Sequence, residues 1–252
     1  MISVIIPTCD RPAEFLRAAI ESVLNQTLPP AEVIVVDNGI RDADSSALLE
    51  GVTVYRLPPR VGQSRARNFG AAMAKETNLA FLDDDDLWDR SFLQHCAATL
   101  EEEKSDCVYG LVLDMHESSL SERFAPLKEV PSVELLLRKN PGMSGQNIFI
   151  RKETFWRVGG LDESLRVSDD RDLAVRLVLS GARISFCPAA KAIVRHHAGP
   201  RVTDRPPEKF RLLFKYRSAV DLPTKIRLGA LFTYLSARRM AGGSLRKAGL
   251  KT

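Results

Sequence analysis

A chain of 252 residues with 44% hydrophobic and 27% charged residues can build one large α/β domain, or a domain with a short appendage, and is not disordered. Its four cysteines, Cys9, Cys96, Cys107 and Cys187, are widely spaced with no CxxC, which excludes a zinc ribbon and a disulfide scaffold and predicts buried, reduced thiols. The net charge of +4 is uneven: residues 201–252 hold 13 Lys+Arg and 3 Asp+Glu, a net of +10, against −6 for residues 1–200. An acidic body with a basic end argues against a nucleic-acid partner and for a soluble enzyme whose C-terminal part meets something anionic.

The chain runs directly into an apolar strand over 2–6, without a basic n-region. No stretch approaches the ~18 apolar residues of a membrane span, so a cytoplasmic location is expected. Residues 8–12 are the turn after this strand, with Asp10 a candidate helix cap and Pro12 suited to a first helical turn. Phe15, Leu16, Ala19, Ile20, Val23 and Leu24 then recur at helical spacing. A second strand over 32–36 ends in Asp37-Asn38-Gly39, and a third over 52–57 leads to a loop reaching Gly62. A helix from Ser64 carries Arg65, Arg67, Asn68 and Gly70, and a strand over 79–82 follows. Four strand–loop–helix repeats predict a doubly wound sheet with its ligand crevice over the strand ends.

The fourth strand stops in Asp83-Asp84-Asp85-Asp86. In extended chain, Asp83 and Asp85 share one face and Asp84 and Asp86 the other. Two carboxylates ~6 Å apart at an effective dielectric of ~20 repel by roughly 2–3 kcal/mol, and no cation is near in sequence, so a divalent metal is indicated. On this stretch alone, an acidic turn capping the helix near Asp89 has similar weight. Asp10 and Asp37 sit in loops after other strands, which makes the acids convergent and favours the metal. There is no GxGxxG and no GxxxxGK[ST], so phosphate falls to a metal and to Arg60, Arg65 and Arg67. An EF-hand is excluded because Trp88 and Gln94 occupy its glycine and glutamate positions.

Downstream, the pattern predicts a helix over 91–103, an apolar segment over 107–115 and an irregular stretch over 116–146 enclosing a short helix at 132–139. A strand over 147–150, a turn at 159–163 and a helix over 173–179 stopped by Gly181 come next, then strands over 183–187 and 192–195.

These landmarks together resemble the family 2 glycosyltransferases. The matching pieces are Val4-Ile-Ile-Pro-Thr8, Ser22-Val-Leu-Asn-Gln-Thr27, Val35-Val-Asp-Asn-Gly39, Gly62-Gln-Ser-Arg-Ala-Arg-Asn68, Phe81-Leu-Asp-Asp-Asp-Asp-Leu-Trp88, Gly159-Gly-Leu-Asp-Glu163, Asp169-Asp-Arg-Asp-Leu173 and His197. The resemblance covers roughly the first 200 residues. It implies the GT-A fold: an α/β, doubly wound, mostly parallel sheet flanked by helices, over 1–204. Residues 1–105 would bind the nucleotide sugar and 106–204 the acceptor, with a basic helical tail over 205–252.

Residue by residue, the resemblance implies a DxD motif at Asp83 and Asp85, Asp85 the direct ligand of Mn²⁺ or Mg²⁺, with His197 near metal or diphosphate. Asp84 faces the ribose or donor sugar, and Asp86 lies behind the ligands or caps the next helix. Asp37 and the turn Pro7, Thr8, Cys9 hold base and ribose, and Arg67 lies near the diphosphate. Asp10, Gly62, Arg65 and Asn147 complete the expected substrate contacts. Asn38 stands where many members have a second aspartate, which leaves the donor open among UDP, dTDP and GDP sugars. Asp169-Asp170 matches an acidic pair that usually reads Glu-Asp. Asp170 is the candidate general base, and capping of the following helix is the competing reading.

The implied activity is metal-dependent, inverting transfer of a sugar to a hydroxyl of a glycan or lipid-linked acceptor in cell-surface polysaccharide synthesis. The alternative is a catalytically silent nucleotide-sugar or glycan-binding module of the same fold. The tail carries two basic amphipathic segments, 206–217 and 224–251. Packing on the body, a homodimer interface and peripheral attachment to an anionic membrane are all open for it.

Overall fold

The computed structural model describes residues 1–117, 119–165, 167–196, 209–231 and 233. In chain order the first half comprises β1 (Ile2–Thr8), α1 (Ala13–Leu24), β2 (Glu32–Asp37), β3 (Val52–Arg56), α2 (Gln63–Met73) and β4 (Asn78–Phe81). Every residue of β1 is buried, as a parallel strand covered on both faces requires. β1 pairs in parallel with β2 and β4, and β2 with β3. All four strands therefore deliver their carboxyl ends to one edge, the crevice side of a doubly wound sheet.

The second half adds β5 (Asp86–Trp88), α3 (Phe92–Glu102), β6 (Cys107–Met115), β7 (Leu120–Glu122), α4 (Val133–Arg138), β8 (Ile148–Arg151), α5 (Lys152–Arg157), α6 (Asp169–Leu179), β9 (Ile184–Arg195) and α7 (Lys209–Lys215). The sheet order is β3-β2-β1-β4-β8-β6-β9-β5, with β7 on β6. β8 enters antiparallel between β4 and β6, β9 is parallel to β6, and β5 is antiparallel to β9. Alternate β1 side chains feed two apolar layers. Val4 and Ile6 join Leu16, Ile20, Trp88 and Phe92 under α1 and α3. Ile5 joins Phe81, Tyr109, Phe155 and Leu177 on the other face.

Some local expectations give way. The two late strands are one, β9, whose register on β6 jumps from Gly110–Cys187 to Leu111–Lys191. A Cβ on Gly110 would stand 2.5 Å from the Ala190 carbonyl oxygen of the resulting bulge. Asp10 does not cap α1. It sits at φ 51°, and its carboxylate accepts from the Ile40 and Arg41 amides at 2.9 and 3.2 Å. Asn147 closes a 3-10 turn ahead of β8. The 132–139 helix forms as α4, where the Ser132 hydroxyl accepts from the Leu135 amide at 3.2 Å.

The first part of the basic tail packs on the body. Leu212, Tyr216 and Leu228 enter the core, and residues 222–231 are helical. The Tyr216 hydroxyl donates to Asp172 Oδ1 at 2.6 Å. Lys215 Nζ lies 2.6 Å from both Asp162 and Asp172. Residues 205–208, 232 and 234–252 of the tail lie outside the described residues.

Candidate active site

The acidic run turns where an extended strand was expected. The Asp86 amide donates to the Asp83 carbonyl at 3.1 Å, and the chain re-enters the sheet as β5. The turn breaks the two-residue alternation and brings Asp86 round to join Asp83 and Asp85. One carboxylate oxygen from each lies within 4.8 Å of the others. Asp86 does not cap α3; its carboxylate accepts from the Arg195 amide at 3.2 Å. Asp84 points elsewhere and is held by Thr8 Oγ1 at 2.7 Å and Arg11 Nε at 2.9 Å.

Cations absent from the neighbouring sequence arrive through the fold. Arg11 Nη2 lies 3.0 Å from Asp85, Arg195 Nε donates to the Asp85 carbonyl at 2.7 Å, and Arg67 Nη2 pairs with Asp83. They do not fully compensate the acids. Burial, with repulsion from Asp83 and Asp85, holds the Asp86 carboxyl well above the usual range. Burial, opposed by Arg67 and reinforced by Asp85, raises Asp83. Burial also lifts Asp84 to about 6 despite Arg11. Three converging carboxylates, two of them with pKa values raised by burial, suit a hard divalent cation such as Mg²⁺ or Mn²⁺, which favours oxygen donors.

Arg67 ties this cluster to the second acidic pair. Its side chain is 2% exposed, and Nη1 lies 3.4 Å from Asp169 Oδ2. Gly145 makes room for it, since a Cβ there would meet Arg67 Nη2 at 2.7 Å. Ser64 Oγ donates to the same Asp169 oxygen at 2.8 Å, and Gln63 Nε2 to the other at 3.4 Å. Asp169 thus spends its oxygens on α2 and not on capping α6; the cap position belongs to Ser168, in the left-handed region at φ 68°. Asp170 is half-buried and accepts from Asn140 Nδ2 at 3.1 Å and from the Arg171 amide at 2.7 Å. Burial and the Asp169 charge raise its pKa to about 6, within range of a base working near neutrality.

At the ends of β1 and β2, Asp37 is 2% exposed. It accepts from the Gly39 and Ala43 amides at 2.8 and 2.7 Å and pairs with Arg56 at 2.5 Å. Asn38 Nδ2 donates to the Thr8 carbonyl at 2.9 Å. Both side chains hold the β1 and β2 loops together. Cys9 is exposed beside them, with Sγ 3.6 Å from the Asn38 carbonyl, and Pro7 is buried. Gly62, at φ 100°, opens α2.

Two candidates spend their polar groups away from the four aspartates. Asn147 is 0% exposed; its amide accepts from the Ser144 N–H at 2.9 Å and donates to the Gly110 and Gly142 carbonyls at 2.5 and 2.8 Å. It fixes the loop that carries Gly145, with its polar atoms spent on backbone. Arg65 is exposed, 3.7 Å from Glu163. It lines a cavity of about 870 Å³ with Trp156, Phe69 and Lys215, which includes none of the four aspartates. Chemistry and not volume marks the site. His197 lies outside the described residues; His196 Nε2 pairs with Asp114 at 2.9 Å. Arg11, Ser64, Asn140, Gly145 and Arg195 escaped the sequence reading. Only Ser64, inside the Gly62–Asn68 motif, carried a local signal.

A parallel β3-β2-β1-β4 half with acids at its strand ends, continued by strands of mixed direction, is the GT-A arrangement. TarS from S. aureus, in its crystal structure with UDP-GlcNAc, superimposes with a TM-score of 0.69 at 18% identity, covering 92% of this chain and 71% of that one. Residues 3–159 match the model for glycosyl transferase family 2, and the chain belongs to that family. An uncharacterized glycosyltransferase of Haemophilus influenzae is 30% identical over 184 residues, 71% of this chain and 62% of its own length. The PGL/p-HBAD biosynthesis glycosyltransferase of Mycobacterium bovis is 31% identical over 194 residues, 73% of this chain and 72% of its own.

Proposed function

We propose that this chain is a metal-dependent, inverting glycosyltransferase that moves a sugar from a nucleoside-diphosphate sugar to a hydroxyl of a glycan or lipid-linked acceptor, in the building of a cell-surface glycan. The observation that carries this reading is the Arg67 guanidinium between Asp83 and Asp169. It couples the candidate cation cluster to Asp169 and, next to it, to Asp170, whose pKa of about 6 suits a general base. Asp83, Asp85 and Asp86 would hold Mn²⁺ or Mg²⁺, whose role when bound is Lewis-acid neutralisation of the leaving diphosphate.

The remaining chemistry belongs to side chains. Asp170, ionised above about pH 6, takes the proton from the acceptor hydroxyl as that oxygen attacks the anomeric carbon opposite the leaving group. A single displacement of this kind inverts the configuration. Asn140 and the Arg171 amide aim the carboxylate. Asp169, fixed by Ser64 and Arg67, raises its basicity. Asp84, anchored on Thr8 and Arg11, lies beside the donor's ribose or sugar. The UDP-GlcNAc held by TarS makes UDP-sugars the first donors to try. Thermal-shift titration with UDP-, dTDP- and GDP-sugars is expected to give stabilisation with one base and only with Mn²⁺ or Mg²⁺ present. Equal shifts with and without metal would contradict the cluster's role.

A further inference from the structure

The C-terminal helices expose large apolar side chains on the face that the fold does not use. Leu212, Tyr216, Thr224 and Leu228 fill the inner face, each 6% exposed or less. On the outer face Phe214 is 69% exposed, and Leu222 and Ile226 are each 65% exposed. Among the described large hydrophobics only Met1, at 80%, is more exposed.

Cations accompany them. Residues 209–231 contain six Lys+Arg and one acid, Asp221, which is occupied with the Thr224 amide at 2.9 Å. The Arg217 guanidinium lies over the Phe214 ring at 4.3 Å and donates to the Phe214 carbonyl at 2.9 Å, which sets a cation directly beside this exposed aromatic side chain. Arg227 is 66% exposed at the rim, 3.5 Å from Glu134 of α4. Exposed apolar side chains accompanied by cations on these two helices fit the headgroup boundary of an anionic bilayer, where apolar burial and charge attraction act together. A second copy of the chain fits worse, because a two-fold contact would set this basic face against itself. The net −6 of residues 1–200 further disfavours docking through other faces.

We propose that the outer face of α7 and of the helix over 222–231 docks on the surface of an anionic lipid bilayer through Phe214, Leu222 and Ile226. The same helices contact α6 through Tyr216 and Asp172, and α6 begins at Asp169 and Asp170. Docking would therefore bring the acceptor half of the protein close to the lipid.

The test is sedimentation of the full chain with phosphatidylcholine vesicles, with and without phosphatidylglycerol. The expected result is binding to the anionic vesicles, weakened by salt and reduced about tenfold or more in the triple variant Phe214→Ser, Leu222→Ser, Ile226→Ser. The double variant Arg217→Glu, Arg227→Glu should show a comparable loss. Circular dichroism should show both variants folded, as their sites are exposed. Unchanged sedimentation of both variants would overturn the proposal. So would a lipid-free dimer abolished by the triple variant in a protein that ignores vesicles. No sugar transfer enters the assay, so its failure is distinct from failure of the catalytic reading.

Discussion

Asp83 and Asp169 share a single guanidinium: Arg67 pairs with the first through Nη2 and reaches the second through Nη1 at 3.4 Å. One residue hangs from the strand end after β4, the other from the start of α6, and α2 carries the cation between them. A buried arginine with two carboxylates is weak evidence for stability, since desolvation offsets much of the attraction. It is stronger evidence for placement, because it fixes the acidic cluster relative to the candidate base.

Arg67→Met should therefore destabilise the fold by about 3–5 kcal/mol, the cost of leaving buried charge unpaired, as read by urea denaturation. The exposed Arg65, 3.7 Å from Glu163, should cost at most about 1 kcal/mol on the same substitution. Gly145→Ala should perturb Arg67 without removing charge, because the added methyl meets the guanidinium. Its expected signature is a loss of transfer larger than its loss of stability.

The pH profile follows from Asp170. Its pKa is raised to about 6 by burial and by Asp169, so the active carboxylate predominates above that pH. The kcat/KM of the free enzyme should rise through an inflection near 6 and level off at higher pH. Asp169→Asn removes the neighbouring charge and should move the inflection downward. The same shift has an opposite consequence for stability: a carboxyl with a raised folded pKa favours the folded state below about 4 and loses that contribution as pH climbs through 6.

Metal dependence is read most simply from nucleotide binding. Asp85→Ala should abolish the Mn²⁺-dependent part of nucleoside-diphosphate affinity measured by calorimetry. EDTA should do the same to the unaltered protein, whose Asp83, Asp85 and Asp86 oxygens converge.

Acid stability isolates the tail contact. Partial burial works against ionisation of Asp162, but hydrogen bonds from Lys215 and Ser164 outweigh it and hold the pKa at about 2. A depressed carboxylate contributes stability that is present above about pH 4 and lost as pH falls through 2. Lys215→Met should lower the melting temperature near neutral pH, by about 1 kcal/mol of stability or somewhat more. The difference should shrink steadily towards pH 2.

The readable parts of the site were those written locally. Apolar runs ending abruptly at Asp37 and Asp83 announced strand ends, and the Asp169-Asp170 pair stood ahead of a helical pattern. The turn between Asp83 and Asp86 was not readable, because strict alternation presumes extended chain; Asp86 consequently appeared on the wrong side. Arg11, Asn140 and Arg195 come from segments joined only by the sheet, so no spacing rule reaches them. Asn147 shows the converse difficulty. An asparagine spent on three backbone groups has the same composition as one reaching for a ligand. The antiparallel insertion of β8 next to β4 is likewise a long-range choice that periodicity does not encode.

The most direct test is release of nucleoside diphosphate from UDP-, dTDP- and GDP-sugars in the presence of Mn²⁺, comparing the unaltered protein with Asp170→Asn. The expected result is turnover of one donor class that stops on chelation. Asp170→Asn should retain metal-dependent donor binding while its rate falls about 10²–10⁴-fold. Undiminished release by Asp170→Asn, or release indifferent to chelation, would contradict the assignment of base and metal cluster.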